Sequence, residues 1–258
     1  MTVRKSDSSD LKTLPIDTGG EHQAYIQGET EAPYGYYIYV PEKGSQNPAK
    51  YPVLVFLHGI GECGNSARDV DELELVLVHG PPHMVRTGEW DPPCPMIVAS
   101  PQTPVEEWQP EKVDTFIRYV IENYPADQSR IYLTGLSMGG DGVYSYLTET
   151  GEKSLVSAAV TICGEGIAKE AKKARVPVWI FHGEFDDEVP LQTAIDMAKG
   201  FSNTPEVKLT VYTGMGHGGW SETYGLSGMG TESEKYDPFN ISIYDWLLSY
   251  KLKKNIEE

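Results

Sequence analysis

The sequence of 258 residues has only three cysteines and few basic residues. Cys63, Cys94 and Cys163 have unrelated spacings and form no CxxC pair, which is typical of free thiols in a reducing compartment rather than of a disulfide framework. The 21 basic residues are outnumbered by 38 acidic ones, giving a formal charge of −17. Such a field repels nucleic acid and anionic membrane surfaces, so we expect neither as a partner.

Long apolar segments are also missing. No run approaches the roughly 20 apolar residues that a membrane-spanning helix needs. The first residues, MTVRKSDSSDLKTLP, lack the apolar core of a secretory signal, so we expect a cytoplasmic protein; a secreted protein after signal removal would look the same. We find no internal repeat, and we predict a flexible polar segment over residues 1–20 followed by a single domain over 21–258.

Short apolar or β-branched segments alternate with amphipathic helical patterns along the rest of the chain. Strands alternating with helices predict a three-layer α/β domain with a mainly parallel sheet, which binds its ligands at the carboxyl ends of the strands. The predicted strands are 34–41, 51–59, 94–102, 130–135, 156–164, 176–183 and 207–214. The predicted helices are 110–124, 139–150, 191–201 and 238–254.

The stretch GLSMGG places Ser137 between Gly135 and Gly139, after a predicted strand and before a predicted helix. A sharp strand–turn–helix elbow holds a nucleophilic serine in a strained conformation, and flanking glycines remove clashes with neighbouring elements. The similar stretch GLSGMG around Ser227 lacks both this spacing and these flanking elements. We therefore predict a nucleophile at Ser137 and a flexible surface loop at Ser227.

A serine hydroxyl needs a base to take its proton, and the base needs a carboxylate to orient it. Of the six histidines, His217 lies in a glycine-rich loop after the last predicted strand, and we predict that it is the base. Four carboxylates follow another strand in HGEFDDEVP; we favour Asp186 as the orienting group, with Asp187 as the main alternative. His79 and His83 form an HxxxH pattern, but the two prolines between them are expected to prevent a regular helical turn, so we predict no metal site.

The glycine-rich loop in VFLHGIGECGNS follows an early strand and can bring a backbone N–H over the serine. The amide of Ile60, or alternatively that of Gly61, would form an oxyanion hole with the amide of Met138. Trp108 and Trp220 are candidate walls for an aromatic acyl or sugar group, and packing in the core is an equally good interpretation of both.

Nucleotide-binding patterns either lack their context or are missing. GMGHGG fits GxGxxG, but only one predicted helix and no further parallel strand follow it. The sequence has no GxxxxGK[ST] phosphate-binding loop. We expect no cofactor.

Together, FLHGIGECGN, GLSMGG, HGEFDDEVP and GHGGW resemble the α/β-hydrolase superfamily over about residues 34–250. The LHGxGE loop and the run W…P…V…RIYLTGLSMGG also resemble a microbial group of predicted peptidase-like esterases, feruloyl and acetyl-xylan esterases and polyhydroxyalkanoate depolymerases. The resemblance implies an α/β-hydrolase fold in which Ser137, Asp186 and His217 are nucleophile, acid and base in that order along the chain.

We therefore expect a serine carboxylesterase that hydrolyses short-chain or aryl esters through an acyl-enzyme intermediate. Its partner would be a small-molecule ester, and the sequence leaves the natural ester and the oligomeric state open. A serine peptidase with the same catalytic residues is the first alternative, and a catalytically silent binding module is the second. Asp141, just beyond the elbow, has no role in this interpretation.

Overall fold

The computed structural model describes residues 2–41 and 49–253 of the protein, and its centre is an eight-stranded sheet. The described residues form ten strands, of which β2 to β9 make up this sheet. The ten strands are β1 (Val3–Lys5), β2 (Glu21–Tyr25), β3 (Gly35–Val40), β4 (Tyr51–Leu57), β5 (Ile97–Gln102), β6 (Ala126–Leu136), β7 (Ala158–Ile162), β8 (Val178–Gly183), β9 (Val207–Tyr212) and β10 (Tyr250–Leu252). The sheet order is β2-β3-β5-β4-β6-β7-β8-β9. All neighbours from β5 to β9 are parallel, while β2 and β3 add an antiparallel edge. The carboxyl ends of the parallel strands therefore share one rim of the sheet.

Helices cover both faces of this sheet. They are α1 (Gly80–Thr87), α2 (Pro110–Asn123), α3 (Met138–Thr150), α4 (Leu191–Gly200), α5 (Trp220–Tyr224) and α6 (Ile243–Leu248). One core cluster joins alternate residues of β4 such as Val53 and Val55 to helices α2, α3 and α4. The other joins Leu54 and Phe56 to α6. Burial on both faces explains why the parallel strands are continuous apolar runs in the sequence.

Two predicted helical features are wrong. The helix predicted over 238–254 is only the short α6, because Ser249 ends it and residues 250–252 form strand β10. The two prolines between His79 and His83 do not prevent a helix: they occupy the first turn of α1. Proline is tolerated there because the first amides of a helix have no partner within it.

The N-terminal segment, predicted to be flexible from its polar composition, contacts the end of the described chain. Strand β1 pairs with β10 in a separate two-stranded sheet, with Val3 opposite Leu252. Asp10 forms an ion pair at 2.6 Å with the buried guanidinium of Arg130 at the start of the central sheet. These contacts are long-range, so the composition of the segment alone does not predict them.

Within the described ranges no helix is both long and apolar enough to cross a bilayer. A cytoplasmic location stays a prediction.

Candidate active site

Ser137 lies on the sharp turn between β6 and α3, with φ of 50° and ψ of −124°, a positive-φ conformation that is unfavourable for serine. Its N–H donates a hydrogen bond of 2.8 Å to the carbonyl of Ile162 on the neighbouring strand. A Cβ on Gly135 would lie 2.3 Å from the carbonyl oxygen of Gly139, and one on Gly139 would lie 2.0 Å from that of Leu57. The predicted reason for the flanking glycines is confirmed: backbone occupies the space that their side chains would need.

His217 lies in the loop between β9 and α5, and its ring bridges Ser137 and Asp186. Its Nδ1 is 2.8 Å from Asp186 Oδ2, and its Nε2 is 2.9 Å from Ser137 Oγ. Because a carboxylate only accepts hydrogen bonds, Nδ1 carries the proton and Nε2 is free to accept from the serine hydroxyl. The structure thus brings together three residues that are far apart in the sequence, in a geometry that can remove a proton from the serine.

Asp186 follows β8, and its side chain is fully buried. Its second oxygen, Oδ1, accepts hydrogen bonds from the amides of Glu188 at 3.1 Å and Val189 at 2.8 Å. Burial opposes ionisation of Asp186, but the bonds from Val189 and His217 outweigh it, so its pKa lies below the ordinary value for aspartate. Asp187, the alternative from the sequence, is exposed. The geometry therefore favours Asp186 as the orienting carboxylate.

Two buried histidines brace the loops around this site. Nε2 of His182 lies 2.8 Å from the carbonyl of Val189 and 3.3 Å from Asp186 Oδ2, so it helps to fix the loop of the acid. Nδ1 of His58 donates to the carbonyl of Gly59 at 2.7 Å, while its Nε2 accepts from the amide of Thr103 at 3.1 Å. Burial lowers the pKa of His58 to about 4 and lowers that of His182, so both rings stay neutral.

The predicted oxyanion donors lie at two places where backbone amides lack regular partners. Met138 begins α3, and the first amides of a helix are unpaired within it. Ile60 begins the 3₁₀ turn Ile60–Glu62, which His58 and Gly59 connect to β4, and its side chain is exposed. Both segments lie at the rim of the sheet that carries Ser137. A helix N-terminus and a backbone turn of this kind favour negative charge on a bound oxygen.

The two predicted substrate-binding tryptophans differ in their surroundings. The ring of Trp220 lies 5.7 Å from that of His217 and is only partly buried. Trp108 is 4% exposed, and its indole N–H donates to the carbonyl of His58 at 3.1 Å. Trp108 therefore packs beneath the loop of His58, and Trp220 is the one that lies beside the base.

A cavity of about 290 Å³ begins next to the elbow, with Met138, Asp141, Trp108 and Ile167 among its lining residues. A larger cavity of about 580 Å³ lies before the start of β5, beside Trp90, and is remote from Ser137. The smaller cavity is therefore the better candidate for a substrate group near the serine.

Asp141 and Cys163 lie beside the site and were given no role from the sequence. The Asp141 carboxylate accepts a hydrogen bond from the amide of Glu165, which ties α3 to the loop after β7. Burial raises the pKa of Asp141 to about 6, and the nearby charge of Glu165 adds to the shift. Cys163 has φ of 50°. No sequence pattern marks the contact of Asp141 or the backbone conformation of Cys163.

Cys163, Asp186 and His217 have ligand atoms within 4.8 Å of one another, close enough to hold a metal ion. Asp186 and His217 are already bonded to each other, and the thiol of Cys163 donates to the carbonyl of Gly218 at 3.1 Å. Burial raises the pKa of this thiol to about 12, which disfavours the thiolate that binds metals. Asp186 and His217 are thus paired with each other, and Cys163 is paired with a backbone carbonyl.

Comparison with known proteins finds similar sequences and similar folds among hydrolases. The sequence profile of the dienelactone hydrolase family matches residues 100–234. Feruloyl esterase B of Thermothelomyces thermophilus is 26% identical over 248 residues, covering 78% of this chain and 80% of that protein. A thermostable esterase of known structure is 27% identical, with a TM-score of 0.61 over 92% of this chain; the chain spans 64% of its length.

An acylaminoacyl peptidase from Pyrococcus horikoshii is similar at 14% identity, with a TM-score of 0.53, covering 84% of this chain and 40% of that one. At this identity the likeness concerns the fold alone. The predicted α/β-hydrolase fold is confirmed by the family match and by the thermostable esterase.

Proposed function

We propose that this chain, which belongs to the dienelactone hydrolase family and is an esterase-type hydrolase, is a serine carboxylesterase that acts through an acyl-enzyme. One observation carries the proposal: an unbroken hydrogen-bonded chain from Ser137 Oγ through the His217 ring to Asp186, with lengths of 2.9 and 2.8 Å. A thiol nucleophile is less compatible with this arrangement. Cys163, whose Sγ lies within 4.8 Å of His217, is fully buried, and its thiol donates to a backbone carbonyl.

In the proposed mechanism His217 Nε2 takes the hydroxyl proton as Ser137 Oγ attacks the ester carbonyl. Asp186 stabilises the imidazolium that forms and keeps Nδ1 protonated. The amides of Met138 and Ile60 donate to the oxyanion of the tetrahedral intermediate, each contributing about 3 kcal/mol to the barrier reduction. The imidazolium then gives its proton to the leaving alkoxide. Water, activated by the same histidine, releases the acid from Ser137.

The substrate we propose is a small carboxylic ester with a short or aryl acyl group. The similarity to a feruloyl esterase supports an aryl ester, and the partly buried ring of Trp220 next to His217 offers an apolar surface for it. The cavity of about 290 Å³ beyond Met138 is of the size of a small substrate group. We propose that a single catalytic domain over residues 21–258 performs this reaction without a cofactor.

Covalent labelling tests the nucleophile. Incubation with a fluorophosphonate should add one phosphonyl group to the peptide that contains Ser137, and p-nitrophenyl acetate should give a burst of one nitrophenolate per chain. Mass spectrometry of the digested protein distinguishes Ser137 from Ser227 and from Cys163. Label on any residue other than Ser137, or hydrolysis that the label leaves intact, would reject the mechanism.

A serine peptidase is the second candidate, since the fold is shared with an acylaminoacyl peptidase. Amides have poorer leaving groups than esters, so parallel assays of a p-nitrophenyl ester and the matching p-nitroanilide separate the two. The esterase proposal requires kcat/KM for the ester to exceed that for the anilide by orders of magnitude. Comparable values would favour the peptidase.

A further inference from the structure

Glu62 is a buried carboxylate that the mechanism above does not use. It ends the turn Ile60–Glu62, immediately after the residues that carry the proposed oxyanion amide, and is only 7% exposed. Burial raises its pKa above the ordinary value for glutamate. Carboxylates are rarely buried without a structural or functional reason, because their removal from water is costly.

The carboxylate closes a hydrogen-bonded ring with Gly59, the residue that precedes its own turn. Oε2 of Glu62 accepts a hydrogen bond from the Gly59 amide at 2.9 Å, and the amide of Glu62 donates to the Gly59 carbonyl at 3.3 Å. The peptide units of Ile60 and Gly61 lie inside this ring. Their orientation is therefore fixed by bonds at both ends rather than by the exposed side chain of Ile60.

The hydrogen-bonded ring of Gly59 and Glu62 is also anchored to the sheet. The carbonyl of Glu62 accepts from the side-chain amide of Gln102, the last residue of β5, at 3.1 Å. The other carboxylate oxygen, Oε1, lies 3.9 Å from Nε2 of His79. The ring of His79 is 5.7 Å from that of Trp220, which lies beside His217. Glu62 thus connects the turn Ile60–Glu62, which we call the oxyanion turn, to β5. Its carboxylate faces His79, which packs against Trp220.

We propose that Glu62 is a positioning residue that holds the amide of Ile60 in the direction of the oxyanion, by clamping the amide of Gly59. This inference rests on the proposed function. A hydrogen bond to a charged acceptor is stronger than one to a neutral acceptor, which accounts for a carboxylate in this place. Because the oxyanion forms only as the serine attacks, the effect of Glu62 on the Ile60 amide belongs to the transition state and not to the bound substrate.

The test compares Glu62→Ala with Glu62→Gln. Alanine removes the acceptor of the Gly59 amide, whereas glutamine keeps a carbonyl oxygen in the same place. We expect kcat for p-nitrophenyl acetate to fall on the order of 10- to 100-fold in Glu62→Ala, with KM within about threefold of the wild type, and glutamine to restore most of the loss. Affinity for phenylboronic acid, which forms a tetrahedral adduct with the serine, should fall in parallel with kcat.

Glu72→Ala is the matched control. Its carboxylate also accepts a backbone amide, that of Asn65, in the same connection after β4, and its carbonyl also binds Gln102. We expect wild-type kcat and boronate affinity in this variant, because the amide it holds lies outside the oxyanion turn. Should Glu62→Ala fail to fold, Glu62→Asp gives the same contrast with glutamine, since its shorter side chain does not reach the Gly59 amide.

Wild-type kcat in Glu62→Ala, or an equal loss in the alanine and glutamine variants, would overturn the inference. So would a loss in Glu72→Ala as large as that in Glu62→Ala. These outcomes differ from a failure of the proposed function, in which the wild-type protein lacks ester hydrolysis or a Ser137→Ala variant retains it.

Discussion

The turns around Ser137 and Ser227 have almost the same letters but opposite structural roles. Ser137 is held at φ of 50° between β6 and α3, and its hydroxyl contacts His217. Ser227 is exposed in a turn after α5. Lack of room for a Cβ does not separate the two turns: Gly139 packs against the backbone of β4, and a Cβ on Gly228, next to Ser227, would lie 2.6 Å from the ring of Tyr212. The difference lies in the flanking elements, because Ser137 stands between a buried strand and a helix and Ser227 does not.

A second pair of neighbours shows the same principle for acids. Asp186 is buried and bonded to His217, while Asp187, the next residue, is exposed. The two side chains are chemically identical, and they differ only in the direction in which the backbone points them. In both pairs, position relative to the sheet rim decides the role, and the following substitutions measure how completely it does so.

The largest contrast is expected between Ser137→Ala and Ser227→Ala. Loss of the nucleophile should lower kcat/KM for p-nitrophenyl acetate by about 10⁴-fold or more, whereas Ser227→Ala should retain the wild-type value. Steady-state kinetics, with circular dichroism to verify folding, give the comparison. Substantial activity in a folded Ser137→Ala protein would contradict the assignment.

Asp186→Asn should lower kcat by about 10³- to 10⁴-fold, because an amide in this place no longer selects the tautomer that accepts the serine proton. Asp187→Asn should lie within about twofold of the wild type. The same ester assay compares them, and the assignment of the acid fails if Asp187→Asn is the more damaged variant.

For the glycines, stability is the more informative measurement. Gly139→Ala places a Cβ 2.0 Å from the carbonyl oxygen of Leu57, whereas a Cβ on Gly218, next to His217, meets nothing within 4 Å. We expect Gly139→Ala to lower the free energy of unfolding by about 2–4 kcal/mol, since backbone must move. Gly218→Ala should change it by less than about 1 kcal/mol. Equal effects in urea titrations would show that the elbow is looser than the structure indicates.

The smallest expected effect concerns Asp141, the carboxylate that follows Ser137 on α3. Its pKa is raised to about 6 in the folded protein, so between about pH 4 and 6 the folded state binds a proton that the unfolded chain has lost. Its charge therefore reduces stability as the pH rises through this window. Asp141→Asn keeps an acceptor for the Glu165 amide without the charge.

Relative to Asp141→Asn, the wild type should lose about 2 kcal/mol of unfolding free energy between pH 4 and 7. Urea titrations of both proteins at pH 4, 5, 6 and 7 measure this difference and cancel the effect of the other acidic residues. A difference that does not change with pH, or one of opposite sign, would show that burial does not control this carboxyl.

The sheet could be predicted from the sequence because its strands are buried on both faces. Seven apolar segments mark β3 to β9 directly, and the residues at their carboxyl ends include Ser137, Asp186 and His217. Strand β2 escaped prediction because it is an edge strand whose residues are partly exposed, and such strands have no continuous apolar run. The end of α6 also escaped, since a helical pattern continues across Ser249 into β10.

The supporting residues of the site were beyond prediction for another reason. Glu62 accepts one hydrogen bond within its own turn, and Cys163 bonds to a loop that is distant in sequence. No periodicity encodes such contacts. The prolines of α1 were misread because their effect depends on whether they lie in the first turn or the interior of a helix.

The pairing of β1 with β10 places the first and last described strands side by side, with the amide of Lys253 bonded to the carbonyl of Thr2. A short covalent linker could therefore join these ends, and the chain could be reopened at the exposed turn of Ser227. Such a circular permutant would keep every strand of the central sheet and the order of nucleophile and acid on either side of β7. Its activity would show that the catalytic geometry depends on the assembled sheet and not on the route by which the chain enters it.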